Sequence, residues 1–252
     1  MKQFLLPGWY RGESRISFAG EDFRYLARVL RMRAGDELAA VDTRGSLFAM
    51  RILRVGRADC EAELAPAAAA PSSSPGIRIT LMQCLPKGRK IDLIVRQATE
   101  AGVARIMLVL SEHSQVRPDE KDARVPRLRK IAREALQQSG APRMPEIEEP
   151  RSLVSIAESA EEWGTALFFH ERPLGGATLH QLLAGRPRSV AVLIGPEGGL
   201  SESEAALLQG ARFHPAYLGG SVRRVETAAV FALGAVKTIL QERDAWLPAQ
   251  QE

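Results

Sequence analysis

Hydrophobic residues follow one pattern in roughly the first 65 residues and another in the rest of the chain. In the first part, short apolar-containing runs read "RISF", "ELAAVD", "LFAMRILRV" and "CEAELA". Turn residues separate them, namely Gly20, Gly35 with Asp36, residues 43–45 and residues 56–59. Such runs predict β-strands, and one helix is predicted near "EDFRYLARVL". Several short strands with a single helix indicate a small β-barrel.

In the second part, continuous apolar runs alternate with helical segments. The predicted strands are 77–85, 105–111, 165–170, 190–195 and 214–219. The predicted helices are 89–101, 120–139, 151–162, 178–184, 202–209 and about 225–241. This alternation favours an α/β domain with a parallel sheet covered on both faces. General topological rules alone would predict an unknotted sheet.

A linker is predicted between these two parts. Residues 64–76, "LAPAAAAPSSSPG", are rich in proline, alanine and serine and contain no large apolar residue after Leu64. Such a composition is typical of a connection between domains. We therefore predict domains at 1–70 and 76–252.

Composition narrows the class of protein. Of the 252 residues, 45% are hydrophobic and 25% are charged, as in soluble globular proteins. No apolar run approaches the roughly 20 residues that span a bilayer, and the short run before Pro7 is too short for a signal peptide. We expect a cytoplasmic protein without a membrane partner. Cys60 and Cys84 are too few for a disulfide framework or a zinc site and are expected to pack as small apolar residues.

Positive charge is concentrated in the segment "FRYLARVLRMRAG". It contains Arg24, Arg28, Arg31 and Arg33, with no acid from Phe23 to Gly35, in a chain of net charge +4. Arginine suits phosphate recognition because its planar guanidinium presents several donors. The segment is equally compatible with a solvated helix face, so it permits an RNA partner without requiring one.

A glycine-rich loop follows the predicted strand 190–195 in "LIGPEGGLSESEA", residues 193–205. It lacks the lysine of a phosphate-binding loop and the spacing of a dinucleotide fingerprint. Glu197 would repel a pyrophosphate, so a neutral or cationic ligand fits better. Ser201 and Glu204 have capping-box spacing, which predicts a helix from about Glu202 that ends at Gly210. Alone, the loop is also compatible with a plain tight turn.

A second glycine segment, "YLGGSVRRVETAAVFALGAVKTIL", spans residues 217–240. Arg223, Arg224 and Glu226 stand before or at the start of a very apolar helix, where charges are costly unless paired or used. An ion pair that caps the helix is one explanation. A ligand site is favoured because both glycine segments fall at the carboxyl ends of predicted strands. A helix that is apolar almost all round predicts cover by a second copy, and hence a homodimer.

These motifs, in this order, resemble the ribosomal RNA small subunit methyltransferase E family, of the SPOUT class. Three further blocks are similar: "RVLRMRAGDEL" (28–38), residues 87–117 beginning "KGRKIDLIVRQ", and "REALQQSGAPRMPEI" (133–147). The resemblance implies an N-terminal PUA-like β-barrel and a C-terminal α/β domain with a deep trefoil knot. It implies S-adenosylmethionine (SAM)-dependent methylation of N3 of a uridine in 16S ribosomal RNA of the small subunit, by a homodimer.

The resemblance also implies site residues. The cofactor-binding set is Leu193, Ile194, Gly195, Pro196, Glu197, Gly198, Gly199, Leu218, Gly219, Val222, Arg223, Arg224 and Val225. The catalytic set is Arg224, Glu226 and Glu197, and the RNA-binding set is Arg28, Arg31, Arg33, Lys87, Arg89 and Arg143. The chain departs from the family pattern at Gly220 and Ser221, where Pro-Arg is frequent, and at Arg223, where leucine is frequent. A glutamate and an arginine of the family are also missing between Gln137 and Ala141.

The implied reaction constrains these roles. Uridine N3 carries a proton that must be removed before methyl transfer. Arginine cannot accept it, so Arg224 is expected to stabilise the charge of the uridinate. Glu197, Glu226 and His170 are the candidate bases, and sequence does not rank them. His170 begins no H-E-x-x-H motif because Leu174 occupies the fifth position, and His113, His180 and His214 are scattered, so no metal is expected.

Two other functions remain open at this point. A non-catalytic RNA-binding protein of the same fold would fit the departures at Ser221 and Ala141. A nucleotide-dependent enzyme on a doubly wound sheet would also have glycine loops at strand ends, but the phosphate-binding motifs are missing.

Overall fold

The computed structural model describes residues 3–67, 77–114, 124–141, 143–185 and 187–244. The chain divides into two compact units, one of Met1–Ser73 with Leu136–Met144 and one of Ser74–Ala135 with Pro145–Glu252. Residues up to Pro66 of the predicted linker belong to a strand, and residues 68–76 lie outside the described part.

The first unit is built on a five-stranded sheet. Its elements are β1 Gln3–Leu5, β2 Arg15–Ala19, α1 Gly20–Arg24, a π-helical turn Tyr25–Val29, β3 Glu37–Val41, β4 Leu47–Val55 and β5 Asp59–Pro66. The strand order is β1-β3-β4-β5-β2, with β1 parallel to β3 and the other pairs antiparallel. The four predicted strands are confirmed, whereas β1 was not predicted because three residues carry too little periodicity.

Alternation in the strands builds the core of this unit. In β2 the side chains of Ile16 and Phe18 point inward while their neighbours are exposed. Phe18 packs edge-to-face on Phe4 of β1, with ring centroids 5.0 Å apart. The buried amide of Gln3 donates to the carbonyl of Leu136 at 3.3 Å and to that of Ala141 at 2.6 Å, which ties β1 to the segment 136–144.

The predicted single helix near residues 21–30 is only partly correct. After the five residues of α1 the backbone widens into the π-turn, and the N–H of Leu30 donates to the carbonyl of Tyr25 at 2.9 Å. Arg31 then adopts a left-handed conformation with φ of 56°. These two irregularities end the helix and redirect the chain within the arginine segment.

The second unit is an α/β unit. Its elements are β6 Arg78–Cys84, α2 Lys90–Glu100, β7 Arg105–Leu110, α3 Arg124–Ser139 (of which residues up to Ala135 belong to this unit), β8 Glu146–Ile147, β9 Arg151–Ser152, α4 Leu153–Glu158, a 3₁₀ turn Ala160–Trp163, β10 Thr165–Phe169, α5 Leu179–Leu182, β11 Ser189–Ile194, α6 Glu202–Gly210, β12 His214–Ala216 and α7 Val225–Asp244. The strand order is β12-β10-β11-β6-β7-β8, with β9 also paired to β7. All these pairs are parallel, which confirms the predicted sheet.

Two segments differ from the prediction. The expected helix 151–162 is a short strand, a six-residue helix and a 3₁₀ turn. Ser152 caps α4 by accepting from the N–H of Ser155 at 3.1 Å, so the helix cannot begin earlier. Strand β12 ends at Ala216 rather than at residue 219.

The predicted capping box at α6 is confirmed. Ser201 Oγ accepts from the N–H of Glu204 at 3.3 Å, and the Glu204 carboxylate accepts from the N–H of Ser201 at 3.0 Å. The helix ends at Gly210 as predicted, but the left-handed residue that follows is Arg212, with φ of 66°.

Both cysteines are buried free thiols, which confirms that they pack as small apolar residues. Burial raises the pKa of Cys60 to about 11 and that of Cys84 to about 12, so both stay protonated at neutral pH.

Among the residues that the structure describes, helix α7 is covered on one side only. Its buried face carries Val225, Ala229, Ala232, Leu233, Val236, Ile239 and Leu240. On the other face Val230 is 36% exposed and Phe231 48% exposed. In the described part of the chain, no helix has the length and apolar character needed to cross a membrane.

Candidate functional site

Four strands end side by side at one edge of the parallel sheet. Register pairs Ile194 of β11 with Gln83 of β6 on one side and with Phe169 of β10 on the other, and Phe169 with Ala216 of β12. The loops that follow these strands therefore meet. They enclose a cavity of about 350 Å³ lined by Lys90, Phe169, His170, Glu171, Ile194, Gly195, Pro196, Glu197, Gly199, Leu200, Tyr217, Leu218, Gly219, Ser221, Val222, Arg223, Arg224, Val225 and Ala228.

The structure brings most of the predicted cofactor set to this cavity. The predicted residues on its wall are Ile194, Gly195, Pro196, Glu197, Gly199, Leu218, Gly219, Val222, Arg223, Arg224 and Val225. Leu193 is fully buried in the core instead. Gly198 lines a second cavity of about 480 Å³ together with Lys87, Glu112, His113 and Glu197. Glu226 is absent from the described walls of both cavities.

The loop 195–199 is held in a defined conformation. The N–H of Gly199 donates to the carbonyl of Pro196 at 3.0 Å, and Gly199 has a positive φ of 70°, which favours glycine. His113 Nδ1 lies 3.1 Å from the Gly199 carbonyl. A Cβ on Gly198 would lie 3.1 Å from Cβ of His113, so a larger residue there would require His113 to move by a few tenths of an ångström.

Glu197 contacts lysine residues, and no arginine within the described ranges reaches its carboxylate. Its Oε1 accepts from Lys90 Nζ at 2.7 Å, and both carboxylate oxygens lie 3.2 Å from the backbone N of Lys87. Partial burial raises the pKa of this carboxyl, but the hydrogen bonds from Lys90 and from the backbone outweigh it, so the pKa lies below its ordinary value. Glu197 is therefore a paired carboxylate and a weak proton acceptor.

The two arginines of the second glycine segment differ in their contacts. Arg223 Nη1 donates to the carbonyl of Gly219 at 2.9 Å and to that of Ser221 at 3.2 Å, and its guanidinium carbon lies 4.4 Å from the centroid of the Phe231 ring. Arg223 thus braces its own loop. The exposed guanidinium of Arg224 has no protein partner within the described residues and lines the cavity, so it is available to a ligand.

The other two candidate bases are placed differently. His170 lines the cavity at the end of β10, and its Nδ1 accepts from the N–H of Arg172 at 3.1 Å. The same Nδ1 lies 3.3 Å from the carbonyl oxygen of Arg172, so its donor or acceptor role depends on the tautomer of the imidazole. Glu226 lies in the first turn of α7, and its Oε2 is buried without a hydrogen-bond partner in the described structure.

Sequence reasoning missed three residues at this site. Lys90 lies in the segment 87–117 that resembles the family, but the sequence did not indicate its ion pair with Glu197. Tyr217, a residue that is 45% exposed, lies on the cavity wall. Gln83 lies near the end of β6, next to the start of the first glycine loop. A single polar residue in an otherwise apolar stretch of the strand is the sequence signal that could have identified it.

The predicted RNA-binding residues are exposed. Arg28, Arg31 and Arg33 lie in the segment 28–33 of the first unit, and their guanidinium groups have no partner among the described residues. Arg51 and Arg54 on β4 are instead ion-paired, with Glu37 at 3.3 Å and Asp59 at 2.7 Å. Lys87 and Arg89 are exposed in the second unit, and Arg143 is exposed in the segment 136–144.

Comparison with known families gives two matches. Residues 72–237 match the family described as "RNA methyltransferase domain", which is more than half of the chain. The chain belongs to the RNA methyltransferase family. Residues 18–64 match the family described as "RNA methyltransferase PUA domain". The PUA-like and methyltransferase parts of the predicted fold are thereby confirmed.

Individual relatives agree with this assignment. The chain is 28% identical over 233 residues to a ribosomal RNA small subunit methyltransferase E of Synechocystis sp., which covers 91% of this chain and 75% of the relative. A methyltransferase of Legionella pneumophila, solved with bound SAM, superposes with a TM-score of 0.81 at 28% identity, over 94% of this chain and 96% of that chain. A ribosomal RNA small subunit methyltransferase E of Neisseria gonorrhoeae, also SAM-bound, has a TM-score of 0.82 at 26% identity, over 95% and 98%. The resemblance inferred from the sequence motifs is confirmed.

Proposed function

We propose that this protein is a SAM-dependent methyltransferase that methylates N3 of a uridine in 16S ribosomal RNA of the small ribosomal subunit. One observation carries the proposal. Two glycine segments meet at the carboxyl ends of parallel strands and enclose a cavity with a free arginine, in a chain of the RNA methyltransferase family. Relatives named for ribosomal RNA methylation, and SAM-bound structures of the same fold, support the substrate and the cofactor.

The cavity has features that fit SAM. Its volume of about 350 Å³ falls in the range of about 300 to 1,000 Å³ that is usual for small-molecule sites. Gly219 and Gly220 have φ of 68° and 66°, a conformation that glycine adopts freely, and the lack of a Cβ lets a ligand approach the backbone. Ile194, Gly195, Leu218 and Gly219 would hold the cofactor by backbone groups and apolar contacts. When bound, SAM supplies the electrophilic methyl of its sulfonium.

The residues of the chain would then act on the uridine. Loss of the N3 proton places negative charge on O2 and O4, and the free guanidinium of Arg224 is suited to stabilise it in place of water. Because Glu197 is paired with Lys90, it is the least suitable of the three candidate bases. Glu226 and His170 remain the candidates for proton acceptor, of which only His170 lines the cavity.

Further parts of the proposal concern organisation. We propose a PUA-like domain at 1–70 that binds RNA and a SPOUT domain at 76–252 that contains a deep trefoil knot around the two glycine segments. We also propose a cytoplasmic homodimer formed through the exposed face of α7, and RNA contacts by Arg28, Arg31, Arg33, Lys87, Arg89 and Arg143. Exposure of all six side chains is what supports these contacts.

Mass mapping of modified nucleotides tests the proposal. Small ribosomal subunits that lack the modification are incubated with the protein and SAM, in parallel with naked 16S RNA. We expect one new methyl group on N3 of a single uridine, and none when SAM is omitted. A methyl group on another atom would refute the N3 assignment. No methylation of either substrate, together with no SAM binding in calorimetry, would leave a non-catalytic RNA-binding protein as the better explanation.

A further inference from the structure

Gln83 is a fully buried polar residue at the centre of the parallel sheet. It is the penultimate residue of β6, with 0% exposure, and its neighbours Leu81, Met82 and Cys84 are all buried and apolar. In the register of the sheet it lies beside Ile194, the last residue of β11. Beyond this pair the ladder ends and the loop 195–199 begins.

The Gln83 amide contacts the backbone at the start of that loop. Its Nε2 donates to the carbonyl of Cys84 at 2.9 Å and lies 3.4 Å from the carbonyl oxygen of Ile194 and 3.5 Å from that of Gly195. Only the nitrogen can donate to carbonyls, so the orientation of the amide is determined by its neighbours. Ile194 and Gly195 also line the cavity, so the peptide units that Gln83 contacts are part of the cavity wall.

The other end of the same amide is unpaired. Gln83 Oε1 is buried and has no hydrogen-bond partner in the described structure. An unpaired buried acceptor lowers stability, and an apolar side chain of the same size would avoid this loss. The presence of a half-satisfied amide at this position therefore indicates that its N–H donors serve the site rather than the stability of the sheet.

We propose that Gln83 is a positioning residue that fixes the carbonyls of Ile194 and Gly195 in the orientation that SAM binding requires. This inference rests on the proposed function. It assigns Gln83 no contact with the reacting atoms. Gln83 acts through the backbone of the loop, and its removal lets these two peptide units rotate.

The chain contains a matched control for this role. Gln3 in the first unit is also buried, with 4% exposure, and its Nε2 likewise donates to two backbone carbonyls. Its acceptors, Leu136 and Ala141, are not among the residues that line the cavity. Gln3→Met therefore removes a comparable buried amide without touching the cavity wall.

Calorimetric titration of SAM into wild-type protein, Gln83→Met and Gln3→Met tests the proposal, together with thermal melting and steady-state kinetics. We expect Gln83→Met to raise the Kd and the KM for SAM about tenfold, the effect of one lost hydrogen bond, with kcat at saturating SAM largely kept. Gln3→Met should lose thermal stability but keep the wild-type Kd. Equal weakening of SAM binding in both variants, or none in Gln83→Met, would overturn the proposal.

Gln83→Glu gives a second readout that does not depend on the stability of Gln83→Met. A neutral carboxyl group can donate one hydrogen bond to the carbonyls, whereas an ionised one repels them. The Kd of Gln83→Glu for SAM should therefore increase with pH more steeply than the wild-type Kd, and parallel pH profiles would contradict the inference. Failure of the wild-type protein to bind SAM would instead refute the proposed function.

Discussion

Lys90 Nζ lies 2.7 Å from Glu197 Oε1, so the first residue of α2 is ion-paired with the acid of the first glycine loop. The backbone N–H of Lys87 contacts the same carboxylate. The segment after β6 therefore holds the loop after β11. The carboxylate of Glu197 already has hydrogen-bond partners within the protein and does not need a ligand to neutralise it. Glu197 lines both cavities, so this contact holds a shared part of their walls in place.

The ion pair predicts a pH dependence of stability. The pKa of Glu197 is below its ordinary value of 4.5 in the folded protein, so the pair stabilises the fold above that pH and is lost as the pH falls through the lower folded pKa. Because Lys90 is 40% exposed, Lys90→Met should lower the free energy of unfolding by less than about 1 kcal/mol at neutral pH. Urea denaturation measures this, and the difference from wild type should vanish in acid. Lys130→Met, at an exposed position of α3, is the control, and an equal loss there would contradict the interpretation.

The free guanidinium of Arg224 predicts that its removal will slow methyl transfer without weakening SAM binding. Arg224→Ala should lower kcat for methyl transfer at least about 100-fold, the size of effect seen when one charge-stabilising donor is removed. Its Kd for SAM, measured by calorimetry, should change little because the backbone of the loop is retained. Arg96→Ala, an exposed arginine on α2, should keep both values. Full activity of Arg224→Ala on ribosomal RNA would exclude the proposed role.

The unpaired arginines of the first unit predict a salt effect. If Arg28, Arg31 and Arg33 each contact a phosphate, replacing all three by alanine should reduce the slope of log K against log salt by about 2 to 3. The matched control is the triple alanine variant of Arg15, Arg51 and Arg54, which removes the same charge. In the wild-type protein these three arginines are ion-paired, with Glu63 at 4.0 Å, Glu37 at 3.3 Å and Asp59 at 2.7 Å, respectively. Filter binding at several salt concentrations measures both slopes, and equal slopes would argue against this surface.

The exposed face of α7 predicts a dimer contact. Phe231→Glu places a charge where we expect a second copy to pack, so it should convert a dimer into a monomer in sedimentation equilibrium. Leu207→Glu on α6 alters another apolar side chain, 38% exposed, and should leave the dimer intact. A monomeric wild-type protein would refute the proposed dimer. If Phe231→Glu is still a dimer, the dimer contact does not involve the exposed face of α7.

Sequence predicted the parallel sheet and the capped helix α6 because both depend on local patterns. Runs such as residues 190–195 are apolar throughout, which indicates a buried strand. Ser201 and Glu204 have the spacing of a capping box, which indicates the start of a helix. Strand β1 and the short strands β8 and β9 were missed because three or fewer residues cannot express a period. The helix predicted near residues 21–30 is present as α1 and the π-turn, but the change to π geometry and the left-handed Arg31 have no signature in the pattern of apolar positions.

The candidate site was predictable as two glycine segments but not as a set of contacts. From the sequence, Glu197 could interact with the sulfonium of SAM, pair with Arg224, or accept the uridine proton. The structure pairs it with Lys90, which is 107 residues away along the chain. Gln83 is 111 residues from Ile194 and was missed for the same reason. Contacts across neighbouring parallel strands depend on register, and a single sequence does not state register.

Arg31 illustrates a conflict between folding and recognition. A φ of 56° is a conformation that glycine adopts freely and arginine adopts only at a cost in free energy. Selection for thermal resistance alone would favour glycine at this position, and Arg31→Gly would relax the backbone while removing a cationic side chain. Engineering this protein for greater heat tolerance at that turn would therefore remove one of the proposed RNA contacts and lower the affinity for RNA.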